Sequence, residues 1–280
     1  MIYRDRIEQH IDRFPEMPSL CRRLIGYMDD PNVDFKTIRE IIQYDPGLTA
    51  NFLKLANSVF FGTVQEVSSL QAALVRLGTG RILEMVLSLS VSSRLAHDLP
   101  GYGLQAGDLL RHSLWSAIAA QELANLLGMK EVETIFTVGL LHDLGLLLLD
   151  PFVQEQRVPF DEQRDDGNAS FEQTERKILG IDHAEAGAKI LAKWHLSSEI
   201  VAGARWHHQP ESASEHQSLI YLIHLADMLS FSEGIGTGIY GLRFNVSPES
   251  VKAVGLKKHH LEYVASKTLD KMKELEDILT

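Results

Sequence analysis

The hydrophobic residues of this 280-residue chain recur every three or four positions over most of its length. After Gly80, for example, Ile82, Leu83, Val86 and Leu87 fall on one face of a helix. Apolar residues at this spacing indicate amphipathic α-helices. Alternation with a period of two is rare, and no Asn-Gly pair marks a β-hairpin. The pattern therefore predicts an all-α protein.

Capping and helix-breaking residues predict where these helices begin and end. Asp45 followed by Pro46 is typical of a helix start, and Ser170 and Asp182 each begin a capping-box pattern. Gly78 is expected to separate two helices, because glycine commonly ends a helix. The predicted helices cover residues 34–44, 46 onwards, 69–77, 80 onwards, 108–127, 131–149, 170–179, 183 onwards, 198–208, 219–231 and two stretches that begin near 248 and 257.

Three segments interrupt the helical pattern. Residues 99–103 are rich in Pro and Gly, residues 151–169 are polar and are predicted to form a surface loop, and residues 234–241 are rich in Gly. We therefore expect an N-terminal helical lobe at 1–98, a second helical lobe at 99–232 and a C-terminal helical extension at 233–280.

The amino-acid composition indicates which kinds of binding partner and which cellular compartment to expect. The net charge of −11 argues against binding to nucleic acid or to a membrane surface, since both require clustered Lys and Arg. The apolar run at 138–149 is short and carries a charge, so it is not expected to span a membrane. The one cysteine excludes a disulfide framework and a zinc-thiolate site. The charged N-terminus lacks the apolar core of a signal peptide, and a cytoplasmic protein is the expectation.

The most informative polar residues are His142 and Asp143, which interrupt the apolar run at 138–149. A carboxylate there is costly to bury unless a positive group pairs with it, and a divalent cation is an effective partner. Five further residues are candidates to complete a metal site. These metal candidates are His112, His183, His207, His208 and Asp227.

Each candidate also has a simpler interpretation. A single His on an apolar helix is more often a hydrogen-bonded core residue than a metal ligand. His207 and His208 could form the polar end of a helix before Pro210, and Asp227 could cap a helix or form an ion pair. Asp108 lies one turn before His112, but an exposed residue in the first helical turn is the preferred interpretation. The joint pattern of seven residues favours a metal site.

Helix geometry and ligand chemistry suggest two ions. Adjacent residues on a helix point about 100° apart, so His207 and His208 suit two ions better than one. Asp143 could bridge both ions through its two oxygens. Mixed imidazole and carboxylate ligands favour Fe, Mn, Ni or Zn over Ca or Mg.

Four segments of the N-terminal half carry a resemblance to a known family. They read Phe-Pro-Glu-Met-Pro at 14–18, Asp-Pro-Gly-Leu-Thr at 45–49, Leu-Ala-Asn-Ser at 55–58 and Leu-Gln-Ala-Ala-Leu-Val-Arg-Leu-Gly at 70–78. With the His-Asp pair that follows, residues 14–232 resemble the HDOD domain of bacterial signalling proteins. The resemblance implies an N-terminal helical bundle packed on an HD-type lobe that is similar to HD-GYP phosphohydrolases.

The resemblance also implies roles for the metal candidates. His112, the pair at 142–143 and Asp227 follow the ligand order of HD-type sites, which hold one metal. His183 and the pair at 207–208 match the additional ligands of HD-GYP proteins, which bind two or more metals. We therefore expect a dinuclear site.

The chain departs from HD-GYP enzymes at two motifs. The Lys that follows the His-Asp pair in those enzymes is replaced by Leu146, and the pair at 207–208 is followed by Gln209 and Pro210 rather than by a Glu-Arg and a Gly-Tyr-Pro element. These departures favour a regulatory module that recognises a protein partner in a signalling pathway. The alternative is a divergent metal-dependent phosphohydrolase that acts on a phosphate-containing ligand, either a phosphodiester or a nucleotide. The sequence leaves catalysis undecided.

Overall fold

The computed structural model describes residues 2–17, 22, 39, 42, 46–57, 67, 69–129, 132–166, 169–236, 238 and 246–279. Over these residues the secondary structure is helical, apart from an isolated bridge between Leu99 and Leu104, and this confirms the predicted all-α class. The helices are α1 Ile2–Arg13, α2 Pro46–Ala56, α3 Leu70–Leu95, α4 Asp108–Leu126, α5 Val132–Leu141, α6 Gly145–Glu155, α7 Arg157–Asp166, α8 Phe171–Leu179, α9 His183–Lys193, α10 Ser198–Trp206, a 3-10 turn Pro210–Ser212, α11 Gln217–Ser232, α12 Pro248–Val254 and α13 Lys258–Leu279.

The chain folds into two compact units. The first, called here the site unit, contains Met1–Pro15 and Leu95–Ala265, and the second contains Glu16–Arg94 and Ser266–Thr280. The N-terminal helix α1 thus belongs to the site unit. The three-part division at residues 98 and 232 stays a prediction about domains.

The second unit has buried side chains on both α2 and α3, among them Phe52, Leu74 and Ile82. Its long helix α3 is kinked at Gly78, where φ is 75° and ψ is 167°. This positive φ is a conformation that glycine adopts easily, so the predicted break at this residue is confirmed. The predicted helix at 34–44 lies largely outside the described residues.

The core of the site unit is built around α4, in which every residue from 109 to 124 except Arg111 is buried. A helix buried on nearly all sides requires neighbours all around it. The neighbour α5 approaches α4 closely at Gly139, where an added Cβ would lie 2.6 Å from the Cα of Ala117. Glycine at this position therefore allows the two helix backbones to pack directly against each other.

The helix predicted at 131–149 is interrupted in the structure. Helix α5 ends at Leu141, residues 142–144 form a turn, and α6 begins at Gly145. A Cβ at Gly145 would lie 2.0 Å from the carbonyl oxygen of His183, so the start of α6 packs directly on the start of α9. The break places His142 and Asp143 at the junction of two helices rather than on the side of one.

The prediction of a surface loop at 151–169 is wrong for most of that segment. Helix α6 continues through Pro151 to Glu155, and α7 follows almost at once. Phe152, Val153 and Phe160 are buried, with exposures of 2%, 0% and 0%. Burial of these apolar residues outweighs the polar average composition of the segment, because tertiary packing stabilises a helix more than local propensity does.

The predicted starts of α8 and α9 are confirmed. The Ser170 backbone N–H donates to Gln173 Oε1 at 3.2 Å, and the Glu185 backbone N–H donates to Asp182 Oδ1 at 2.7 Å. These bonds satisfy groups at the helix N-termini. As a result His183 is the first residue of α9, as the sequence predicts.

Among the described residues, one stretch, Thr134–Glu155, is long and apolar enough by composition to cross a membrane. It extends beyond both ends of the apolar run at 138–149 that the sequence predicted to be too short. However, 89% of its most apolar window is buried inside the protein. A membrane span is therefore not indicated, and the apolar character of this stretch reflects its place in the core of the site unit.

Candidate metal centre

All seven metal candidates lie together in the site unit. Each side chain is 8% exposed or less, although they come from five separate parts of the chain. Within each of two groups, one ligand atom of every residue lies within 4.8 Å of those of the others. The first His-Asp group consists of His112, His142 and Asp227, and the second consists of Asp143, His183, His207 and His208.

Asp143 lies between the two groups. Its Oδ2 atom is 3.2 Å from His112 Nε2 and 3.5 Å from His142 Nε2. Its Oδ1 atom is 3.5 Å from the Nε2 atoms of both His183 and His207. The two oxygens of one carboxylate thus face different groups, an arrangement that suits a bridging ligand.

Asp227 and His208 also connect the groups. Asp227 Oδ1 is 3.1 Å from His112 Nε2 and 3.6 Å from His142 Nε2, while Oδ2 is 3.9 Å from His208 Nδ1. The Nε2 atoms of His208 and His183 are 2.8 Å apart. The charges of the two groups are therefore close enough to interact directly.

Hydrogen bonds at Nδ1 orient four of the imidazoles. The Nδ1 of His142 lies 2.8 Å from the Gly139 carbonyl oxygen, and that of His207 lies 2.7 Å from the Ala204 carbonyl oxygen. Because a carbonyl oxygen only accepts, these contacts assign a proton to Nδ1, and they direct Nε2 towards Asp143 and the other candidate ligands. Ligand histidines in metal sites are generally held in this way by their second nitrogen.

The remaining two oriented histidines use side chains as acceptors. His112 Nδ1 lies 3.0 Å from Ser230 Oγ, whose hydroxyl donates to the Asp227 carbonyl oxygen at 2.7 Å. His183 Nδ1 lies 2.6 Å from Glu175 Oε2. The two groups thus differ in the chemistry that surrounds them, because only the second has a carboxylate behind one of its described imidazoles.

Burial and the charges around the cluster shift the pKa values of three of its histidines. Burial opposes the charge on His112, but the negative carboxylates of Asp143 and Asp227, 3.2 and 3.1 Å from its Nε2, outweigh it and raise the pKa of His112 to about 10. Burial likewise opposes the charge on His183, and Glu175 raises the pKa of His183 to about 10. Burial and the neighbouring imidazoles lower the pKa of His208 well below its ordinary value. Divalent cations compete with protons for such ligands.

The carboxylates are held in their charged form. Burial alone would raise the pKa of both, but neighbouring histidines hold the pKa of Asp143 and of Asp227 below its usual range. Two buried negative charges next to neutral and protonated imidazoles form a strongly polar environment inside an apolar core.

Several atoms of the cluster are buried without a hydrogen-bond partner among the described residues. They are Asp143 Oδ1, His207 Nε2 and both carboxylate oxygens of Asp227. A buried polar atom without a partner is costly and rare in native proteins. A divalent cation fits this set, because imidazole nitrogens and carboxylate oxygens are ligands of first-row transition metals.

Three supporting residues were not predicted from the sequence. Glu175 and Ser230 bond the candidate ligands His183 and His112, and the Nδ1 N–H of His224 donates to the His207 carbonyl oxygen at 2.7 Å. Glu175 was detectable in principle, because it shares one face of α8 with Phe171 and Leu179 at i, i+4 spacing. An acidic residue on an apolar helix face is itself a signal of a buried partner.

Three further residues near the candidate ligands in sequence, Asp108, Leu146 and Arg205, lie outside the two groups. Asp108 is partly exposed and its Oδ2 accepts from the Gln105 backbone N–H at 2.7 Å, in agreement with the preferred interpretation. Arg205 lies 3.9 Å from Glu185 and packs over the Trp206 ring. Leu146, at the position where HD-GYP enzymes carry a Lys after the His-Asp pair, is 8% exposed.

The fold and the cluster together define an all-helical protein with buried histidines and aspartates that converge from several helices. The sequence model of the HDOD domain family matches residues 14–210, and the chain belongs to this family. It is 26% identical over 236 residues to an uncharacterized protein of Treponema pallidum (strain Nichols). That match covers 81% of this chain and 44% of the relative, so the chain spans less than half of the relative's length.

Solved structures of similar proteins share the fold. An HDOD domain protein of unknown function from Geobacter sulfurreducens aligns over 99% of this chain and 92% of its own, with a TM-score of 0.75 and 22% identity. A Shewanella amazonensis SB2B protein described as a proposed phosphohydrolase aligns over 98% of both chains, with a TM-score of 0.72 and 25% identity. The family predicted from the sequence is thus confirmed.

Proposed function

We propose that this chain is a regulatory HDOD module of bacterial signal transduction that holds two divalent metal ions between its helices. The observation that carries this proposal is the placement of Asp143, whose two oxygens face different His-Asp groups. The unpartnered buried atoms of Asp143, His207 and Asp227 support it, because a cation would pair with all of them.

The two groups divide the ligands between the ions. The first His-Asp group, with Asp143 Oδ2, would hold one ion, and the remainder of the second group, with Asp143 Oδ1, would hold the other. The donor set favours Fe, Mn, Ni or Zn. A bound cation at each position would neutralise the buried carboxylates and stabilise the folded state, since the site draws together α4, the α5–α6 junction, α9, the end of α10 and α11.

Two departures from HD-GYP enzymes favour regulation over catalysis. Leu146 supplies no positive charge for a phosphate, and the residues after His208 lack the Gly-Tyr-Pro element. A metal site without these elements could still stabilise a surface that recognises another protein. The partner we expect is a protein of a cytoplasmic signalling pathway.

Metal content is the direct test of this proposal. Protein purified without chelator and without nickel affinity resin should contain close to two equivalents of Fe, Mn or Zn per chain by elemental analysis. The same result should follow anaerobic reconstitution of chelator-treated protein. A chain that holds no metal, and takes up none on reconstitution, would contradict the proposal.

A second candidate function is metal-dependent phosphate-ester hydrolysis. The bridging position of Asp143 favours it, and so does the 25% identity to the Shewanella protein described as a proposed phosphohydrolase. Cations held by both groups would supply Lewis-acid stabilisation of phosphoryl oxygens. The chain's own contribution would be to hold the ligand nitrogens and carboxylates in fixed positions in a water-poor core. The expected substrate class is a phosphodiester or a nucleotide.

Hydrolysis is tested on the fully metallated protein. If this candidate is right, generic phosphodiesters should be turned over with Mn²⁺ or Fe²⁺, and His142→Ala should abolish turnover because it removes a ligand of the first group. The matched control is Asp108→Asn, because Asp108 lies on the same helix as His112 but bonds the Gln105 backbone, and this variant should retain the rate. A fully metallated protein that turns over none of these substrates would exclude this function and leave the regulatory one.

A further inference from the structure

Glu175 is a buried carboxylate whose hydrogen bonds lead to the metal centre. It lies on α8 with an exposure of 0%. Its Oε1 accepts from the Tyr102 hydroxyl at 2.6 Å, and its Oε2 accepts from the His183 backbone N–H at 2.9 Å and lies 2.6 Å from His183 Nδ1. A buried carboxylate is tolerated only when donors compensate for its lost hydration, and these three donors do so.

The support behind His183 differs from that behind the other oriented imidazoles. His142 and His207 each bond a backbone carbonyl three residues earlier, and His112 bonds the Ser230 hydroxyl. These three acceptors are neutral, whereas Glu175 carries a negative charge. A carboxylate behind an imidazole raises the basicity of the nitrogen that faces the metal.

The surroundings of Glu175 hold it in place and keep water away. The Tyr102 ring packs edge-on against Phe171 with centroids 5.3 Å apart, and Phe171 in turn stacks on His183 at 6.5 Å and 26°. Tyr102 is 4% exposed and Phe171 is 8% exposed. The hydrogen bonds that Glu175 accepts from Tyr102 and His183 therefore lie in an apolar environment, where charge-assisted bonds are stronger than in water.

We propose that Glu175, held by Tyr102, is a positioning residue that gives the second His-Asp group a higher affinity for divalent cations than the first. This inference rests on the proposed metal site. Glu175 acts through His183 and does not itself belong to either group. The two ions would then bind in order, with the second group filled before the first.

The test is a Co²⁺ titration of the full chain, followed by the visible absorption of the bound ion and by calorimetry. Glu175→Gln keeps the volume, keeps an oxygen that accepts from His183, and can donate to the Tyr102 oxygen, so it removes mainly the charge. We expect the tighter of the two Co²⁺ affinities to fall roughly 10- to 100-fold, with an altered absorption spectrum. The weaker affinity should stay the same.

Two further variants isolate the effect. His142→Ala removes a ligand of the first group, and in that background the single remaining site should still lose affinity when Glu175→Gln is added. Tyr102→Phe keeps the ring contact with Phe171 and should lower the tighter affinity in the same direction, by a smaller factor. Because Tyr102→Phe leaves Glu175 with both His183 donors, it serves as the deciding variant if Glu175→Gln does not fold.

The matched control is Glu172→Gln on the same helix. Glu172 is 6% exposed and bonds Ser170 rather than a residue of the metal centre, so its titration should match that of the unmodified chain. If the unmodified chain binds Co²⁺ twice and Glu175→Gln leaves both affinities unchanged, the role of Glu175 is overturned while the proposed metal site stands. An equal loss at both sites would also overturn it. If the unmodified chain binds no Co²⁺, the metal site fails and this inference fails with it.

Discussion

Asp143→Asn should reduce the metal content of the protein from about two ions per chain to nearly none. The reason is that the carboxylate faces both groups, so the loss of its charge weakens both sites at once. Binding at 100 to 1,000 times the dissociation constant stabilises a folded protein by roughly 3–4 kcal/mol. The variant should lose a contribution of this order to its free energy of unfolding when the two proteins are compared at saturating metal. Elemental analysis and denaturant unfolding with and without metal check both parts.

Two comparisons make the Asp143 result specific. Asp108→Asn removes a carboxylate that caps a neighbouring loop and should leave two ions bound. His142→Ala removes a ligand of the first group alone and should leave one ion. Unchanged metal content in purified Asp143→Asn would show that Asp143 is not a ligand, and retention of one ion would show that it does not bridge.

Gly145→Ala should lower the free energy of unfolding by roughly 3 kcal/mol or more, which is at or above the upper range for overpacked cores. The added Cβ would lie 2.0 Å from the His183 carbonyl oxygen and 2.7 Å from the Gly187 backbone nitrogen. Both neighbours are backbone atoms, so relief of the clash requires α6 to move away from α9. That movement would also separate Asp143 from His183, and we expect weaker Co²⁺ binding in any folded fraction. Denaturant unfolding and Co²⁺ titration measure the two effects.

Gly234→Ala is the control for the general effect of replacing a glycine. Gly234 has a φ of +75° and open space where the Cβ would be added, so the substitution introduces backbone strain without a clash. The expected loss is about 1–2 kcal/mol, with two ions still bound. A Gly145→Ala protein as stable as Gly234→Ala would mean that α6 and α9 can separate at little cost, contrary to the packing described above.

The metal candidates were predictable because their residue types conflict with their local surroundings. A His-Asp pair in an apolar run, and an Asp within the apolar segment 219–231, stand out without any knowledge of the fold. The helix starts at Ser170 and Asp182 were predictable for a similar reason, since capping bonds join residues three positions apart. Interactions between residues this close along the chain can be predicted from short stretches of sequence.

The break between α5 and α6 and the helix α7 were not predictable in this way. The break coincides with the close contact between Gly145 and His183, which belong to different helices. Helix α7 depends on the burial of Phe160 by residues outside its own segment. Local composition says little about either, because the free energy comes from packing partners that are distant in sequence.

The amino-acid sequence was sufficient to identify the all-α class, the HDOD family and seven residues with the chemistry of metal ligands, because helical periodicity, motifs and residue types are properties of the chain itself. Only the tertiary structure decided that the two oxygens of Asp143 face different groups and that Glu175 stands behind His183. The direction of a carboxylate and the partner of an imidazole depend on how separate helices pack. The fold therefore determines how the candidate ligands are divided between two groups.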